Sequence, residues 1–351
     1  MQRGTRTTTP PARRHPARRV MAWTFIGLAA AGLAGSAAQR AAAQRDERRF
    51  PAPGRMVEAG GFRMHLEVRG EHLGGPTIVL EAGLGSFSPN WHWVQQALAD
   101  RLRVVAYDRA GLGWSDPSPA PRDAATMAAE LHTALHAADI EGPYVLAGHS
   151  FGGLVVRAFA ELYRPETAGL VLVDASHPDQ WARWPVPSAD RIQLISLRIS
   201  AAAARVGLFR IVDAFGAVSA GLPERQVAEL NARFALPSTS DVEAAEMRAW
   251  EPITRPFLHR ASALGDLPLA VIGVGVQPMG AQTLDALQEE LPGLSMNSAR
   301  RVIADATHES LIADREHASR VAEAILAVVD AAGGESVETA WTARETHPAI
   351  R

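Results

Sequence analysis

From Arg55 onward the chain repeats one pattern: a short strand-like apolar run, a turn, and then a stretch with helical spacing. Thr77–Glu81, Leu102–Tyr107, Tyr144–Ala147, Leu170–Val173, Leu269–Val274 and Arg301–Ile303 are such runs. A strand with one wet face alternates apolar and polar residues. Continuous apolar strands are instead covered on both faces, which calls for a mainly parallel sheet between two helical layers. The intervening stretches suit those layers: in Ala125–Ala138, Met127, Leu131 and Leu135 fall near helical spacing, and Phe151–Tyr163 and Ala318–Val329 also read as helices. Met56–Ala59 and Phe62–Arg69 flank Gly60-Gly61, a hairpin signal that adds two strands. The expectation is an α/β fold with a mainly parallel eight-stranded sheet.

The rhythm breaks over residues 177–266, which hold no buried strand and only helical stretches at Arg191–Ala204, Glu224–Phe234 and Val242–Trp250, punctuated by proline. A segment this long is not a structureless loop in a compact domain. It reads as a helical insertion that divides the core into 55–176 and 267–331. Residues 332–351 are polar and aperiodic, and are expected to form a mobile tail.

Residues 1–43 have a different character. Arg3, Arg6, Arg13, Arg14, Arg18 and Arg19 precede an uncharged stretch, Val20–Gln39, and then the small residues Ala41–Ala43. A basic region, an apolar region and a small-residue site describe a secretory signal peptide and an exported protein, periplasmic or secreted. Left uncleaved, the same stretch would be an anchor, the one way this chain would meet a membrane.

Composition narrows the chemistry. All 35 basic residues are Arg, so lysine Schiff bases and a P-loop are excluded. There is no Cys, which removes disulfides, thiolate nucleophiles, Cys-ligated zinc and iron–sulfur clusters. A net charge of -3 gives no footprint for nucleic acid. Hydroxyl, carboxylate and imidazole chemistry on a small-molecule substrate remains, with no cofactor and no metal called for.

Gly148-His149-Ser150-Phe151-Gly152-Gly153 lies between a strand and a helix. A turn this sharp pushes Ser150 toward positive φ, and small residues at Gly148 and Gly152 let strand and helix pass closely. The hydroxyl is then presented at the carboxyl edge of the sheet, where open α/β sheets bind ligands. A hydroxyl is a weak nucleophile at neutral pH, so a base must reach it.

With these motifs in this order, the chain over residues 55 to 331 resembles the α/β-hydrolase superfamily. Glu81-Ala82-Gly83-Leu84-Gly85 is similar to its oxyanion loop after strand 3, although the family more often has His-Gly where Ala82-Gly83 stands. Asp108–Ser115 is similar to the motif after strand 4, Ser150 to the nucleophile, and Ala306-Thr307-His308 to the late histidine. The insertion falls where the family carries its helical cap. The resemblance implies a serine hydrolase, carboxylesterase-like, with Ser150 as nucleophile, His308 as base and the Leu84 and Phe151 amides as oxyanion hole. Serine at the elbow argues against dehalogenase or epoxide-hydrolase chemistry, which uses Asp there in this superfamily. Carbon–carbon bond, lactone and amide hydrolysis, and a non-catalytic ligand-binding role, stay open.

The acid departs from the pattern. The loop after strand 7, Val274–Gly280, has no carboxylate before Asp285. Asp174, at the end of strand 6, is the expected substitute, with Asp285 or a dyad without an acid as alternatives. Gly83 is expected to line the site, and His149 to line it or pack beneath it. Trp91, and with it Trp93, Trp181, Trp184 and Trp250, are candidate pocket walls or core residues. Asp108 and Arg109 are expected to pair and brace the neighbouring loop. His132 and His136, four apart on a helix, have a spacing that metals use, but no third ligand is evident and a solvated helix face is expected.

Overall fold

The computed structural model describes residues 16–212, 214–276 and 281–346. Arg3, Arg6, Arg13 and Arg14, the Gln277–Gly280 part of the strand 7 loop, and residues 347–351 of the expected tail lie outside the described residues.

Helix α1 (Pro16–Arg49) precedes strands β1 (Arg55–Glu58), β2 (Arg63–Arg69) and β3 (Thr77–Glu81). Then come α2 (His92–Leu98), β4 (Val104–Tyr107), α3 (Ala124–Ala137), β5 (Tyr144–His149), α4 (Gly152–Leu162) and β6 (Thr167–Val173). The insertion is helical throughout its regular parts: α5 (Gln180–Arg183), α6 (Ala189–Arg205), α7 (Gly216–Ser219), α8 (Glu224–Phe234), α9 (Pro237–Ala249) and α10 (Arg255–Arg260). The core resumes with β7 (Leu269–Val274), α11 (Ala281–Glu290), β8 (Ser298–Ile303), α12 (Ser310–Ala313), α13 (Arg315–Ala332) and α14 (Val337–Thr346).

The eight strands form one sheet in the order β1-β2-β4-β3-β5-β6-β7-β8. β1 and β2 pair antiparallel, β2 joins β4 antiparallel, and every later pairing is parallel. Along β3 both faces are apolar, as expected. Val79 packs in one core with Met127, Leu131, Leu154 and Phe159 of α3 and α4. Ile78 and Leu80 pack in the other with Leu98, Val321, Ile325 and Val328 of α2 and α13. Asp123 caps α3 through the Thr126 amide and Asp314 caps α13 through two amides, each such cap contributing about 1 kcal/mol. These two layers hold the sheet rigid, so everything that follows a strand at its carboxyl edge is positioned by the core.

The C-terminal segment differs from expectation. Residues 337–346, placed in the mobile tail, form α14, whose Val337 and Trp341 are buried in the α13 core. At the other end α1 runs unbroken past Ala41–Ala43 to Arg49. Gln39, inside the expected signal segment, is buried and donates to the Ala235 carbonyl of the insertion at 2.8 Å. Met21, Trp23, Phe25, Leu28 and Leu33 of α1 are exposed, and no helix among the described residues is long and apolar enough to cross a membrane.

Candidate active site

Strand register brings the site together. His149 pairs with Val173, so Ser150 and Asp174 leave adjacent parallel strands side by side. Glu81 pairs with Gly148, which sets the Ala82–Gly85 turn against the elbow on the other flank.

Ser150 has φ 54° and Asp174 φ 40°, left-handed conformations that a non-glycine residue rarely holds. Main-chain bonds hold them there: Ser150 N donates to Val173 O at 3.1 Å, Ser176 N to Ser150 O at 2.8 Å, and Asp174 N to Ile272 O at 2.7 Å. The neighbouring glycines are needed for space. A Cβ on Gly148 would come within 2.6 Å of Gly152 O, and one on Gly152 within 2.5 Å of Glu81 O. Gly83 packs directly on the elbow, where a Cβ would lie 3.2 Å from Ser150 Cβ and 3.3 Å from His149 Nδ1. Among the described residues, neither the Leu84 nor the Phe151 amide donates to a backbone or side-chain acceptor. These amides belong to the two turns that flank Ser150 in the chain and in the sheet, one after β3 and one at the start of α4.

His308 sits on the loop between β8 and α12, and its Nδ1 meets Asp174 Oδ2 at 2.5 Å. The carboxylate that reaches this imidazole is therefore Asp174, while Asp285 lies within α11. Asp174 is 9% exposed and the His308 side chain 33%. Burial pulls the His308 pKa down, but the hydrogen bond and charge of Asp174, with Glu309 adding, hold it above the usual imidazole value. No hydrogen bond joins Ser150 to His308 among the described residues, a gap common before substrate binds.

His149 lies beneath rather than lining an opening. It is 5% exposed, and its Nε2 donates to the His308 carbonyl at 2.9 Å, with the two rings 4.5 Å apart. Burial, and secondarily the charge of His308, pushes its pKa well below the imidazole range, so it stays neutral and serves as a prop for the His308 loop. Trp91 is fully buried, edge-to-face against His149 at 6.4 Å. It is a core residue and not a pocket wall, because the turn after β3 directs it into the α2 side of the sheet. Trp93 also leaves the site, donating to the Gly221 carbonyl at 2.9 Å. Trp250 of the insertion stands 5.4 Å from the Phe151 ring, and Trp181 packs on Trp250 at 6.0 Å with Trp184 beyond it.

Asp108 and Arg109 do not pair with each other. Asp108 is fully buried and holds His65 Nδ1 at 3.0 Å and the Ser88 and Trp114 amides at 2.8 and 2.9 Å. Arg109 is the residue whose role is not legible in the motif. It bonds Glu81 at 2.6 Å and Glu246 of α9 at 2.7 Å, and donates to the Ala82 and Gly83 carbonyls at 2.7 and 2.8 Å. Burial disfavours the Arg109 charge, but the two carboxylates outweigh it and keep it protonated. Burial raises Glu81 to about 7 against the pull of Arg109, and raises Glu243 to about 8, with the Glu246 charge adding. A buried ion triad thus fastens the turn beside Ser150 to the insertion.

Residues 76–216 match the family described as alpha/beta hydrolase fold. Over 103 residues the chain is 42% identical to RutD of Klebsiella pneumoniae subsp. pneumoniae, which its name gives as a candidate carbamate hydrolase; the match covers 29% of this chain and 38% of RutD. The matches to the first curated relatives span from a fifth to about half of those proteins' length. A thermophilic esterase from Thermogutta terrifontis superposes with a TM-score of 0.58 at 21% identity, covering 78% of this chain and 98% of the esterase. A candidate epoxide hydrolase from Pseudomonas aeruginosa gives 0.65 at 16%, covering 79% and 96%. These structures share the α/β-hydrolase fold of this chain, and residues 76–216 carry the match to the family model.

Proposed function

We propose that this protein is a serine hydrolase that cleaves small or medium apolar carboxylic esters through an acyl-enzyme. The observation that carries the reading is the 2.5 Å contact between His308 Nδ1 and Asp174, which are 134 residues apart, at the same sheet edge as a positive-φ Ser150. In this mechanism His308 Nε2 takes the Ser150 proton as Oγ attacks the carbonyl carbon, and Asp174 holds the imidazolium that results. The Leu84 and Phe151 amides receive the oxyanion, each contributing about 2.7–4 kcal/mol to the transition state. Collapse expels the alcohol with the proton from His308. Water, deprotonated by the same ring, then attacks the acyl-enzyme and frees the acid.

The ester preference is supported by the apolar groups gathered near the elbow, Leu84, Trp181 and Trp250. Lactones and amides enter the same cycle, and the RutD likeness makes carbamates a second class to assay. A panel of p-nitrophenyl esters of graded chain length, run beside lactones, amides and carbamates, tests the reading. Ester turnover that Ser150→Ala abolishes, with fluorophosphonate labelling of the wild type alone, is expected. No labelling of either protein would make the chain a ligand-binding member of the fold. We also propose export through residues 1–43, tested by N-terminal sequencing of the mature protein.

A further inference from the structure

His132 and His136 on α3 acquire through folding the partner that their sequence neighbourhood lacks. Glu166, in the turn before β6, brings its carboxylate to both rings: His132 Nε2 lies 3.0 Å from Oε1 and His136 Nε2 lies 3.2 Å from Oε2. The two Nε2 atoms are themselves 3.0 Å apart. The His132 ring is held flat against Tyr163, with centroids 3.7 Å apart and 1° between planes.

Protons cannot satisfy this triangle. Each Nε2 is either a donor or an acceptor, never both. If both rings donate to Glu166, two N–H groups face each other at 3.0 Å. If one ring accepts from the other, its lone pair faces a carboxylate oxygen. One cation at the centre satisfies all three edges at once. The dimensions agree: with ligand distances of about 2.0–2.1 Å, donors at right angles stand about 3.0 Å apart and tetrahedral ones about 3.4 Å.

We propose that His132, His136 and Glu166 bind one late first-row divalent cation such as Zn2+, with water completing the shell. Two imidazoles and one carboxylate suit zinc, and not calcium or magnesium, which take oxygen ligands. The site is structural rather than catalytic, because Glu166 precedes β6 and Asp174 follows it, placing them at opposite edges of the sheet. The cation would clamp the end of α3 to the start of β6.

The test uses tag-free full-length protein titrated with ZnCl2 by calorimetry, with Co2+ substitution read by its visible absorption. The expected result is one ion per chain in the wild type, with affinity lowered more than about tenfold in both Glu166→Gln and His136→Ala. Both positions are partly exposed, and matched far-UV melts in chelator verify their folds. No binding by the wild type, or wild-type affinity and stoichiometry in both variants, would overturn the site.

Discussion

The guanidinium of Arg109 donates to the main-chain oxygen of Gly83 at 2.8 Å, and Gly83 in turn packs against Ser150. Arg109→Met therefore loosens the turn that carries the Leu84 amide, and it strands Glu81 and Glu246 as unpaired buried acids. We expect a loss of about 3–5 kcal/mol in chemical denaturation. Ester turnover should fall on the order of 10²-fold, from misplacement alone. Unchanged kcat in a folded Arg109→Met protein would detach Arg109 from the oxyanion loop.

Asp174→Asn keeps the shape of the side chain but leaves His308 Nδ1 facing an amide. Turnover should drop by roughly 10⁴-fold with little change in the melting curve. Near-normal kcat would mean that something other than Asp174 orients the ring.

The rate should rise with pH as His308 loses its proton, with a midpoint above the ordinary imidazole value because Asp174 stabilises the charged ring. In Asp174→Asn the desolvation is opposed only by the charge of Glu309, and the midpoint should move down. The stability that His308 contributes through this raised pKa is present in full below its unfolded value of about 6.5 and is lost as pH climbs through the folded one. A kcat/KM profile of both proteins, with denaturation at several pH values, checks each sign.

Trp341 of α14 is buried, and the Arg301 guanidinium lies 5.2 Å from its ring centre. Trp341→Ala should cost about 3–5 kcal/mol in denaturant with kcat unchanged. A loss under 1 kcal/mol would mean that α14 does not stay docked.

The sheet is legible because its strands are apolar on both faces, a pattern that Thr77–Glu81 and Leu269–Val274 show without help from context. Ser150 is legible because its glycines have a steric reason tied to one turn. Asp174 could be named only as a substitute, since its approach to His308 depends on the β6–β7 register. Glu246 and Glu166 could not be found by spacing. Each reaches its partner, Arg109 or His132, across helices whose docking no periodicity encodes. Trp91 misleads because an aromatic after a glycine turn looks alike whether it faces ligand or core. In α14, only Val337, Ala340 and Trp341 face inward, too few apolar positions to stand out in a polar stretch.

The Arg109–Glu246 bond also sets a rule for remodelling this protein. The helices between β6 and β7 form one continuous block that a redesign would exchange whole. Yet one carboxylate from that region neutralises a cation sealed under the Ala82–Gly85 turn. A transplanted insertion that lacks an acid at the matching place would leave Arg109 half-compensated and disturb the turn packed against Ser150. A graft that keeps this single charge, along with the Trp250 contact to Phe151, would keep the turn beside Ser150 fastened.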